Sequence, residues 1–221
     1  MCERLLLGAF FCCLAASLAA GSASAQSTNA APIVIQGAAV NPASLPMGAD
    51  GQKAVSDVLP QLKSGDLAAH VTAAGADRKS WATSSIAKGA VVNLADVARQ
   101  ALESCEYLAS GPCLIVEVNG HDARDASGGW PTQPRTLDRQ GGRFDNWTVP
   151  FVPLGDRVTL GGYVGAGTPR ALVVTTAGNW NWTGGTTIFD AIAQAYATCL
   201  KSYSGARCVL YAVNDRVVMA Q

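Results

Sequence analysis

The chain has 221 residues, of which 14% are charged and 49% hydrophobic, with 16 Lys and Arg against 16 Asp and Glu. That balance leaves no global field to attract nucleic acid or an acidic membrane surface, and no apolar stretch beyond the N-terminal segment approaches membrane length. The length suffices for one large domain or two small ones with a buried core.

Residues 1–25 read as a secretory signal peptide: Arg4 in a short n-region, an apolar run from Leu5 to Ala20, and Ser22-Ala-Ser-Ala25 as a small-residue cleavage site before Gln26. Neither Cys12 nor Cys13 follows a small residue, so lipoprotein acylation is not expected. The expected product is a periplasmic or secreted chain without a membrane span. Processing removes Cys2, Cys12 and Cys13 from the seven cysteines and leaves four, an even number that argues for disulfides in an oxidising compartment.

After cleavage, residues 26–48 hold Pro, Gly, Ser and Asn around one apolar run, Ile33 to Ile35, which predicts a flexible lead with an edge strand. Residues 49–63 place Val55, Val58, Leu59 and Leu62 at helical spacing, with Pro60 predicting a short or kinked helix. A strand follows at Trp81–Ile86, preceded by the run from His70 to Gly75. The next helix opens at the capping residue Asn93 with Asp96 three positions on. It carries Leu94, Val97, Ala98, Ala101, Leu102, Cys105 and Leu108 along one stripe. Gly111-Pro112 turns the chain into the strand Cys113–Val118, and Asn119-Gly120 predicts a hairpin.

Residues 121–148 form a long polar connection with Trp130 and Trp147 as anchors. Residues 149–221 then repeat residues 49–120. Val149–Val152 and Val158–Leu160 lead in, Tyr163–Gly167 parallels His70–Gly75, and Ala171–Thr176 parallels the Trp81 strand. From capping residue to first cysteine is twelve positions in both copies (Asn93 to Cys105, Thr187 to Cys199), and from second cysteine to closing Asn is six (Cys113 to Asn119, Cys208 to Asn214). Each copy thus holds its own pair, making Cys105–Cys113 and Cys199–Cys208 the parsimonious disulfides; a four-thiolate metal site would want tighter spacing. The predicted fold class is α+β, two tandem strand-helix-strand-hairpin repeats, each with one helix on a small mixed or antiparallel sheet.

The Ala191–Val218 stretch, an alanine-rich helix ending in Cys199, a short Gly-containing turn, and Cys208-Val-Leu-Tyr-Ala-Val-Asn-Asp215, resembles a class of exported bacterial domains of unknown function. Val97–Gly120 resembles it less closely. The resemblance implies compartment and disulfides and assigns no catalytic residue.

Catalytic signatures are scarce. His70 and His121 are the only histidines. His121 with Asp122 and Asp125 has the composition of a divalent-cation site, although a solvated loop explains it as well. Ser85-Ile-Ala-Lys88 has the Ser-x-x-Lys spacing without the companion motifs of acylating enzymes. Gly161–Gly167 is glycine-rich but lacks the Lys of a phosphate loop, and no dinucleotide or metalloprotease motif is present. No cofactor is expected. The best binding candidate is Asn179-Trp180-Asn181-Trp182, taken as a loop between strand and helix whose indoles and amides suit a sugar ring or peptide backbone. The primary expectation is therefore a non-catalytic exported module that binds an envelope ligand or protein partner. The alternative is a small exported hydrolase with carboxylate acid and base, for which Glu103, Glu106 and Glu117 are the only glutamates after residue 25.

Overall fold

A computed structural model describes residues 37–125, 128–130, 136–137 and 141–219. The signal peptide, the Ile33–Ile35 strand, and Arg135, Asp138 and Arg139 of the connection lie outside the described residues.

Helix α1 (Ala49–Ser64) ends at Gly65, whose φ of 76° closes the helix through amide contacts to Gln61 and Leu62 carbonyls. Pro60 is accommodated within it. Gly51 lies where α1 crosses the sheet; a Cβ there would come within 3.0 Å of the Trp81 ring. Strands β1 (Leu67–Gly75) and β2 (Trp81–Ala87) form a hairpin, its turn built on Asp77, whose carboxylate accepts from the Lys79 and Ser80 amides. Helix α2 (Leu94–Ala109) starts at Asn93, whose side chain accepts from the Asp96 amide at 3.2 Å. Strands β3 (Cys113–Val118) and β4 (His121–Asp122) complete an antiparallel sheet of order β2-β1-β3-β4. The expected hairpin at Asn119-Gly120 is present, with φ of 51° and 79°, the two positive angles its tight turn needs.

The second copy repeats the scheme. Two short helices, α3 (Leu154–Arg157) and α4 (Gly161–Gly165), precede β5 (Arg170–Thr175), β6 (Trp180–Gly184), α5 (Ile188–Ser202), β7 (Cys208–Val213) and β8 (Arg216–Val217). The sheet order is β6-β5-β7-β8, again antiparallel. Both disulfides, Cys105–Cys113 and Cys199–Cys208, tie a helix C-terminal turn to the next strand. On the chain-entropy model each contributes roughly 2–3 kcal/mol.

One tie shows the true register of the repeat. Asn119 accepts from the His70 amide through its side chain at 2.8 Å and donates its own amide to the His70 carbonyl at 2.8 Å. Asn214 makes the same pair of bonds with Arg170, at 3.1 and 2.8 Å. His70 therefore matches Arg170, not Tyr163, and the Trp81 strand matches β6, not Ala171–Thr176. Each unit begins with two strands rather than one. Of the two runs that lead in, Val149–Val152 lies outside any strand and Val158–Leu160 is a 3-10 turn. The glycine-rich Gly161–Gly167 begins as α4. The second repeat thus starts at Arg170, and the connection runs to Pro169.

Each sheet is covered on both faces. Against the first, α2 packs Val97, Ala98, Ala101, Leu102 and Cys105 onto Ala69, Val71, Ala73, Ile115 and Val118. The opposite face meets α1 together with Val40, Leu45 and Met47, so the described part of the expected flexible lead is a packed segment. Against the second, α5 packs on Ala171 and Val173, while the connection supplies Leu137, Val149, Phe151, Val152, Leu160 and Tyr163 to the other face.

The remaining face of α2 joins the two halves, and the described residues fall in one compact unit. Arg99 donates to Asp96 and Glu103 and reaches the Val152 carbonyl at 2.7 Å. Glu103 accepts from the Phe151 amide at 2.6 Å, Asp96 from the Leu154 amide at 2.9 Å, and Glu106 from the Thr136 and Leu137 amides. Ser104 donates to the Thr176 carbonyl at 2.7 Å. Phe151 sits at φ 67°, a left-handed conformation disfavoured for its side chain. The Glu103 bond and an edge contact with Tyr107, centroids 5.7 Å apart, hold it there.

Candidate functional site

Strand alternation decides which polar side chains meet. Ala69, Val71 and Ala73 of β1 point to α2, so His70 and Thr72 point to the α1 side. There the register sets Ser85 opposite His70 and Glu117 opposite Thr72. His70 Nδ1 lies 2.7 Å from Ser85 Oγ and its Nε2 3.1 Å from Thr72 Oγ1. Thr72 donates to Glu117 Oε2 at 2.8 Å, and the Gly120 amide donates to Glu117 Oε1 at 2.6 Å. Because the Thr72 proton goes to the carboxylate, its oxygen accepts from His70 Nε2–H. The Nδ1 nitrogen is then left to accept from the Ser85 hydroxyl.

A hydroxyl, an imidazole and a carboxylate in line have the composition of a nucleophile relay. Burial works against that use. His70 is 1% exposed and Glu117 0%. Burial holds the His70 imidazole down at about 4 and pushes the Glu117 carboxyl up to about 7, although bonds from Gly120 and Thr72 favour its charge. A proton taken by His70 would create a buried cation. Ser85 reaches the surface, but its partner is His70, while Lys88 is exposed in the turn beyond β2. The Ser-x-x-Lys spacing therefore does not describe the pairing.

The other candidate carboxylates are also engaged. Glu103 and Glu106, 5% and 1% exposed, accept the backbone amides that hold the connection. Burial raises the Glu103 carboxyl above its ordinary range against the pull of Arg99. His121 is exposed, its Nδ1 3.1 Å from the Gly37 carbonyl. Arg124 binds Asp122 through its Nε and Nη2, depressing the carboxyl, and Asp125 accepts from the Gly129 amide. Among the described residues no group of three or more His, Cys, Asp or Glu side chains is placed to hold a metal ion.

Asn179–Trp182 is not a loop. Trp180, Asn181 and Trp182 belong to β6, the edge strand of the second sheet, and Asn179 ends the β5–β6 turn, where its amide donates to Thr175 Oγ1 at 3.0 Å. The strand places Trp180 and Trp182 together on the connection side, half-buried, with Trp182 edge-on to Tyr163 at 6.1 Å. Asn181 and Thr183 face α5 and donate to the Ala195 and Ala191 carbonyls. Tyr203 donates to the Trp180 carbonyl at 3.2 Å. The alternation Trp-Asn-Trp-Thr after Gly178-Asn179 is the signal of a hairpin strand.

Comparison of the chain with protein-family models, with curated proteins and with solved structures finds no match. Among the described residues, no helix is long and apolar enough to cross a membrane.

Proposed function

We propose that the protein is an exported, periplasmic or secreted, non-catalytic module that binds a cell-envelope ligand or protein partner along the β6 edge of its second sheet. The observation that carries this reading is the pair Trp180 and Trp182, side by side and half-buried on an edge strand. Exposed Asn179 stands at the strand's start. Indole faces beside an amide suit a sugar ring or an extended peptide. The two disulfides fit an oxidising compartment. A hydrolytic reading has less support, because Glu103, Glu106 and Glu117 are spent on internal hydrogen bonds.

The test is thermal shift of the oxidised chain against muropeptides, envelope oligosaccharides and extended peptides, beside the variant Trp180→Ala, Trp182→Ala. A native-state ligand at a hundredfold excess over its dissociation constant stabilises by about 2.7 kcal/mol. A shift present in the native chain and lost in the variant is the expected result. Shifts equal in both proteins would remove the site from β6.

A further inference from the structure

The internal repeat supplies its own comparison for α5. Counted from the capping residues Asn93 and Thr187, Arg99, Glu103 and Glu106 of α2 correspond to Ala193, Ala197 and Leu200 of α5. In α2 those positions strap the connection down. In α5 the same face is apolar and open: Phe189 is 83% exposed, Leu200 61%, and Ala193 and Ala197 are both exposed. Positions 189, 193, 197 and 200 fall on one stripe of the helix.

The stripe is ordered large, small, small, large, so it reads the same from either end. An antiparallel second copy would set Phe189 against Leu200 of its neighbour at both ends, while Ala193 and Ala197 allow close approach of the backbones between them. The flanking charges follow the same symmetry. Asp190 lies beside the first turn and Lys201 beside the last, so each carboxylate would stand near the other copy's ammonium. An interface in which one patch meets itself in this way is isologous and closes as a dimer.

We propose that α5 is a self-association face, on which two copies of this chain pack antiparallel about a twofold axis passing between Ala193 and Ala197. The proposal rests on α5 alone and stands whether or not β6 binds a ligand.

Sedimentation velocity of the oxidised chain over about a hundredfold concentration range tests it. The expected result is a concentration-dependent equilibrium between monomer and dimer. Leu200→Glu and Ala193→Glu each place a charge in the apolar contact and should raise the dissociation constant at least about tenfold. Both positions are exposed in the single chain, so circular dichroism and the melting temperature at low concentration should match the native protein. Lys201→Glu should also weaken association by turning attraction into repulsion. Trp180→Ala, Trp182→Ala should leave it unchanged. A native chain that stays monomeric throughout overturns the proposal, as does association by the two folded Glu variants equal to that of the native chain.

Discussion

Two buried titratable groups joined through Thr72 should oppose each other in the pH dependence of stability. His70 is held at about 4 against an ordinary 6.5, so its contribution is full above pH 6.5 and is lost as pH falls towards 4. Glu117 stands at about 7 against 4.5, so its contribution is full below pH 4.5 and is lost as pH rises towards 7. At 1.36 kcal/mol per pH unit, each limb is worth about 3 kcal/mol. Between pH 4.5 and 6.5 the two nearly cancel in the native chain. Glu117→Gln removes the falling limb, so the difference in stability between variant and native should shift in the variant's favour by about 3 kcal/mol from pH 4.5 to 7. His70→Gln removes the rising limb, and the corresponding difference should shift against the variant by about 3 kcal/mol from pH 4 to 6.5. Urea unfolding of the oxidised proteins at half-unit pH steps measures both, and taking differences cancels the groups the three proteins share. Three parallel curves would refute the assignment of these buried groups.

The α2 strap and the asparagine ties make independent predictions. Glu103→Ala leaves the Phe151 amide without its acceptor and strips Arg99 of one carboxylate. Unfolding should show a loss of about 3–5 kcal/mol, or a melting temperature lower by roughly 6–20 °C. Glu103→Gln, which keeps an acceptor for the amide, should recover part of it, whereas a loss below about 1 kcal/mol in the alanine variant would deny the strap its role. Asn119→Ala and Asn214→Ala each combine a left-handed penalty of about 1 kcal/mol with an amide left unpaired, worth about 1 kcal/mol more. Asn→Gly at either site should restore the conformational part only, as urea midpoints will report.

Much of the scaffold was legible because its signals are local. Asn93 and Thr187 cap within one helical turn, the apolar stripes of α2 and α5 recur at helical period, and Asn119-Gly120 has the two residues its turn prefers. The disulfides followed from a duplicated spacing. The repeat register was harder to read. The first hairpin has a nine-residue strand and the second a six-residue one, so the two copies differ in length ahead of the helix and composition alone does not fix which residues correspond. The apolar residues of Val149–Leu160 cover the second sheet without forming a strand of it, and covering a sheet and forming one both call for hydrophobic side chains. Composition singles out the Trp180 pair, but its strand setting depends on the Trp-Asn-Trp-Thr alternation taken together with the Gly178-Asn179 turn.

By itself, the sequence determined the helices α1, α2 and α5, the Asn119-Gly120 turn and the pairing of the cysteines, all set by interactions within a dozen or so residues. Tertiary structure decided what the polar groups do. Glu103 finds its amide donor 48 positions away, Glu106 about 30, and His70 meets Glu117 only through the register of β1 with β3. No spacing rule carries such partners, because they depend on which strand faces align and which segment covers them. The same dependence leaves the open face of α5 visible only once α2 shows what covers its counterpart.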